Sequence, residues 1–114
     1  MKKSFRLLIT LAIVVAVVLL AFYIKNRNPN GISEEDAKCI GEKSVLYTQI
    51  GCYACSMQED LFGENYQYVN DFVCNNDWDS CLAKGIKATP TWEINGQMIE
   101  GVQTIEKLKE LTGC

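Results

Sequence analysis

The chain contains no histidine in its 114 residues. That absence excludes Cys–His nucleophiles, Ser-His-Asp triads and His-ligated metal sites in one step. There is no Asn-x-Ser/Thr acceptor, no glycine-rich phosphate loop and no internal repeat. Basic residues are scarce where a domain would fold. From Gly31 onward there are six lysines, no arginine and fourteen acids, a net charge of about −8. A nucleic-acid-binding face demands the opposite balance, so no nucleic acid is expected as a partner. The same charge argues against the domain lying on an anionic membrane surface, and the acids read as a solvated surface.

What the chain does have is concentrated at two places. The first is Leu7 to Ile24, an uncharged apolar stretch of 18 residues. It is about the minimum length for a bilayer-spanning helix and exceeds the roughly 7–15 residues of a cleaved signal's apolar region. No small-x-small site closes it, Phe22 and Tyr23 sit at interface depth, and no cysteine beside it offers a lipid attachment point. A retained signal anchor is expected, with a cleaved signal peptide as the rival. Lys2, Lys3 and Arg6 precede the stretch, and only Lys25 and Arg27 follow it. This bias puts residues 1–6 in the cytoplasm, 7–24 across the cell membrane, 25–32 in a polar stalk and 33–114 outside as one domain. All six cysteines (Cys39, Cys52, Cys55, Cys74, Cys81 and Cys114) fall in the exported part. An even count in a small extracytoplasmic domain reads as disulfides.

The second is Cys52-Tyr53-Ala54-Cys55. It follows the apolar run 44–50, which reads as a buried strand, and opens a helix-like stretch 56–62 closed by Gly63. Cysteines three apart at a helix start share a face, and the first sulfur meets the unpaired N–H groups that favour a thiolate. A thiolate is what attacks a disulfide. A Cys-x-x-Cys pair alone also serves as a structural bridge or half a zinc site, so its context matters.

Around this unit, Ser33 caps a short helix to about Ile40, ended by Gly41. A strand is expected over about 44–49 and another over Tyr66 to Val73. Asp77 to Ser80 offers caps for a short helix that Gly85 stops. Thr91 to Ile94 and Gln97 to Val102 form a hairpin about Asn95-Gly96. Thr104 caps a final helix carrying Ile105, Leu108 and Leu111 on one face, ended by Gly113. The order α-β-α-β-α-β-β-α, with a crossover making the first two strands parallel, predicts an α/β fold. Its four-stranded mixed sheet carries helices on both faces. Val45, Tyr47, Met57, Leu61, Trp92, Ile94 and Leu108 are the expected core.

These residues resemble the thioredoxin superfamily, through the strand–Cys-x-x-Cys–helix unit and the segment 85–91 with Pro90 leading into a strand and hairpin. Closer still is the thioredoxin-like domain fused to bacterial vitamin K epoxide reductase homologues. Leu61-Phe62-Gly63, Tyr68-Val69 with Cys74, Cys81 ahead of Gly85-Ile86, 90–96 and the ending 100–108 all look like that domain. The similarity covers about residues 34–113 and implies a thioredoxin-like fold. It also implies a cis bond before Pro90, with Thr89, Pro90 and Gly101 forming the place where a client segment pairs beside Cys52 as an added strand. Cys52 is then the exposed sulfur and Cys55 the resolving one. The chemistry resides in the sulfurs and calls for no cofactor and no metal. Three departures remove known tuning groups. Tyr53-Ala54 lacks proline and histidine, Gly51 stands where the family has Trp, and Leu46 stands where thioredoxin has a buried Asp.

The activity implied is thiol–disulfide exchange, oxidising exported cysteine-containing clients. The family's fused four-helix quinone-reducing domain is absent from this chain, so a separate membrane reductase is expected as electron partner. A tethered reductase, a non-catalytic disulfide-stapled binding module and a metal carrier are the rivals. Cys74 and Cys81, seven apart among Asn and Asp, read as a structural bridge or a second redox pair. Tracing the chain puts Cys39 and Cys114 at the pole opposite Cys52, as a bridge or as two free or intermolecular thiols.

Overall fold

A computed structural model describes residues 1–26 and 31–114. Residues 27–30, half of the expected stalk, lie outside the described residues. Helix α1 (Lys2–Asn26) is continuous, and its most apolar 18-residue window has a mean hydropathy of 3.1 with none of it buried. It is long and apolar enough to cross a membrane.

The remaining elements are α2 (Glu34–Lys43), β1 (Ser44–Thr48), α3 (Tyr53–Phe62), β2 (Asp71–Val73), α4 (Trp78–Ala83), β3 (Thr91–Ile94), β4 (Gln97–Glu100) and α5 (Ile105–Thr112). Tight 3-10 turns cover Gly63–Tyr68 and Cys74–Asn76. The strands form one mixed sheet in the order β2-β1-β3-β4, with β1 parallel to β2 and both other pairings antiparallel. Local chemistry sets the starts: Ser33, Asp77 and Thr104 side chains accept the backbone N–H groups of Asp36, Ser80 and Lys107, relieving donors that a helix start leaves unpaired. Asn95 and Gly96 both take positive φ, 51° and 77°, the conformation a two-residue hairpin turn requires.

Successive residues of a strand face opposite sides, and β1 sends its side chains to two separate clusters. Leu46 joins Ala37, Ile40, Phe62, Trp92, Ile94 and Leu108, which brings α2, α3 and α5 to one face. Tyr47 and Val45 join Cys74, Cys81, Ile86 and Phe72 on the other, where α4 packs.

Several expectations are corrected. The run from Tyr66 to Val73 is a strand only at its last three residues, because Gly63–Tyr68 winds into a 3-10 turn. Gly41 does not end α2, which runs to Lys43. A Cβ there would overlap the Tyr68 carbonyl oxygen, so the glycine is a point of close backbone approach. Met57 is 46% exposed, and Leu61 and Val45 are only half-buried. The buried face of α3 instead carries Cys55, Gln58 and Phe62, one residue round from the expected stripe. The strands stop earlier than expected, at Thr48 and Glu100.

Candidate functional site

Cys52 is the N-cap of α3. Its backbone is extended, φ −82° and ψ 111°, and its Sγ accepts the N–H of Cys55 at 3.1 Å. The sulfur thus takes the place a Ser or Asp oxygen holds in an ordinary cap. Cys52 and Cys55 are joined as a disulfide with Cα atoms 5.2 Å apart. Their exposure is unequal: Cys52 is half-buried and Cys55 only 7% exposed. An incoming thiolate therefore meets Cys52 first.

The Thr89–Pro90 peptide bond is cis. Thr89 O lies 3.5 Å from Cys52 Sγ, an acceptor for the thiol in the reduced form, and Thr89 Oγ1 lies 3.4 Å from the same sulfur. Pro90 is fully buried, and its carbonyl accepts the N–H of Gly101 at 2.8 Å. The structure therefore brings Thr89 against the Cys52 sulfur and ties Gly101 to Pro90 at the start of the hairpin. Ile50 and Tyr53, which flank the Gly51-Cys52 corner, are 73% and 81% exposed.

A groove of about 440 Å3 opens beside the pair, and both cysteines line it. Its far wall is a hydrogen-bonded cluster that local sequence reading did not pick out. Asp71 accepts from Thr48 Oγ1 at 2.5 Å and from Tyr66 Oη at 2.7 Å. Burial, then the Asp71 carboxylate, then Glu59, push the Tyr66 phenol far above its ordinary range. Glu59, one turn beyond Cys55 on α3, completes the lining. No single-residue signal marks these side chains as a group. They meet because β1 and β2 are parallel neighbours and α3 begins where β1 ends.

The other cysteines are also paired, Cys74 with Cys81 and Cys39 with Cys114, at Cα separations of 5.9 and 6.0 Å. Cys74 and Cys81 are fully buried among Tyr47 and Ile86, which denies a thiolate the access that exchange needs. That favours the structural over the relay reading for this bridge. Asn75, between them, accepts the Ile50 N–H at 2.8 Å and so supports the loop that presents Cys52. No protein-family model matches the chain.

Proposed function

We propose that this protein is a membrane-anchored thiol–disulfide oxidoreductase with a thioredoxin-like domain outside the cytoplasm, oxidising exported proteins. The observation that carries the reading is the asymmetry of one disulfide at a helix start. Cys52 is reachable and capped by a backbone N–H, while Cys55 sits behind it. The order of the sheet and the place of Thr89 and Pro90 support it.

In this reading a client thiolate attacks Cys52 Sγ. The Cys52–Cys55 bond breaks, Cys55 leaves as a thiolate and takes up a proton, and a mixed disulfide joins client to Cys52. A second client thiolate then attacks the client's own sulfur, forming the client disulfide and releasing Cys52 as a thiolate. Two electrons pass from client to protein. The Cys55 N–H at 3.1 Å and the Thr89 hydroxyl at 3.4 Å stabilise the departing Cys52 thiolate, and stabilising the reduced form makes the disulfide the stronger oxidant. Two electrons, with the one proton held on Cys55, then pass to a separate quinone-linked membrane reductase of the vitamin K epoxide reductase or DsbB type as the Cys52–Cys55 disulfide reforms. Confinement of both proteins to one membrane raises the effective concentration of the sulfurs that must meet.

Substitution and potential test the reading. Cys52→Ala abolishes exchange, while Cys55→Ala accumulates client mixed disulfides, visible as adducts that a reductant removes. The Cys52–Cys55 potential in a glutathione buffer lies above about −270 mV. A value below it turns the direction to that of a reductase, and a Cys55→Ala chain that captures nothing removes exchange altogether. A membrane-impermeant maleimide labels the reduced domain in intact cells, as the charge bias across α1 requires. Labelling confined to lysed cells reverses the orientation.

A further inference from the structure

The groove beside Cys52–Cys55 has a chemical character of its own. Among the described residues, Glu59 and Asp71 are the only charged side chains that line it and no lysine or arginine does, while the rings of Tyr53 and Tyr66 stand with them. Tyr53 directly follows the reactive cysteine and is 81% exposed. Asp71 spends one lone pair of each oxygen on Thr48 and Tyr66 and keeps acceptor capacity on both. Carboxylates beside tyrosine rings around one cavity, here Tyr53 exposed and Tyr66 half-buried, form a combination that holds an alkylammonium or guanidinium group.

We infer that the groove selects clients whose reacting cysteine is flanked by lysine or arginine. The inference rests on the exchange reading above and names the client chemistry of that same site. When a client cysteine is bonded to Cys52, a residue one or two positions away lies about 4–7 Å along its chain. A Lys or Arg side chain there spans the rest of the distance into the groove. An acidic neighbour meets two carboxylates instead, and like charges at such range repel.

The test uses the full-length chain in neutral detergent micelles and two dithiol peptides that differ only in Lys or Glu beside the first cysteine. A neighbouring lysine also favours the peptide's own thiolate, so the readout is how the Lys/Glu ratio of oxidation rates changes between variants. Glu59→Gln lowers the ratio about two- to fivefold, the range expected of one exposed ion pair, and Glu59→Lys lowers it further. Raising salt shrinks the wild-type ratio. Glu110→Gln, on α5 and outside the groove, leaves the ratio unchanged. If Glu59→Gln leaves the ratio as in the wild type, or Glu110→Gln lowers it equally, the groove is not the selector, although exchange itself stands. Failure to oxidise either peptide removes the exchange reading and this inference with it.

Discussion

Gln58 is fully buried, yet its amide is well satisfied. Its Oε1 accepts from Trp92 Nε1 at 3.0 Å and from the Gln103 N–H at 2.7 Å, and its Nε2 donates to Gln103 O at 3.0 Å. One side chain thus joins α3, β3 and the segment before α5. Gln58→Leu keeps the volume but orphans an indole N–H and two backbone groups. It is expected to cost about 2–4 kcal/mol in urea unfolding, with altered Trp92 fluorescence. On the opposite face, Tyr47 Oη donates to Glu93 at 2.6 Å and Lys84 Nζ lies 3.3 Å from the same carboxylate. Burial, and then Glu93, push the Tyr47 phenol up to about 12. The Tyr47 hydrogen bond, and then Lys84, hold Glu93 below its ordinary value. The signs follow by linkage. The raised tyrosine contributes stability that is complete below pH 10 or so, its unfolded value, and is lost as pH climbs towards 12. The depressed glutamate contributes stability above about pH 4 that is lost on acidification. Tyr47→Phe should flatten the alkaline limb of a stability–pH curve measured by denaturant midpoint, and an unchanged limb would refute the assignment.

Among the elements, α2 depends on a residue that looks like a helix stop. An exposed helical Gly→Ala change ordinarily stabilises by about 0.5–1 kcal/mol. At Gly41 the added Cβ runs into the Tyr68 carbonyl, and backbone cannot yield as a side-chain tip can. Gly41→Ala is therefore expected to destabilise, by about 1–3 kcal/mol, with the lower midpoint in thermal or urea melts as the check. A neutral or stabilising outcome would mean that α2 and the 63–68 turn pack less closely than described. The same contact explains why 66–73 could not be a strand throughout. Tyr66 and Tyr68 leave the sheet to pack against the first core cluster, with Tyr68 Oη donating to Glu34 on α2, and only 71–73 return to pair with β1.

For the whole domain, the ends are fastened to each other away from the groove-lining elements. Cys39 on α2 is bridged to Cys114 just after α5, Lys109 Nζ lies 3.1 Å from Asp36, and Lys43 donates to Thr112 O at 3.3 Å. The exposed ion pair adds little. The bridge closes a loop with a sequence separation of 75 and in the chain-entropy model stabilises by roughly 4–5 kcal/mol. Replacing both residues, Cys39→Ser with Cys114→Ser, should lower the urea midpoint correspondingly while leaving the rate of Cys52–Cys55 exchange in the folded protein unchanged. Loss of exchange in a folded double variant would show that the two poles of the domain are coupled.

Local chemistry alone determined the pieces whose signals are complete within a few residues. The apolar stretch 7–24 lies wholly within α1, the oxygens of Ser33, Asp77 and Thr104 each cap a helix, and Asn95-Gly96 turns a hairpin. Each of these needs only neighbouring backbone donors, a turn geometry or a length. Cys52 and Cys55 were legible as a pair for the same reason, since a helix start brings i and i+3 together. Tertiary structure decided everything that required knowing what lies across the gap. The rotation of α3 buries Gln58 and Phe62 in place of Met57 and Leu61, because distant Trp92 and Gln103 supply partners for a polar side chain that periodicity places outside. The close approach at Gly41, the break in 66–73 and the meeting of Glu59, Tyr66 and Asp71 beside the cysteines have the same origin. They arise from contacts between residues far apart in the chain, which no local pattern encodes.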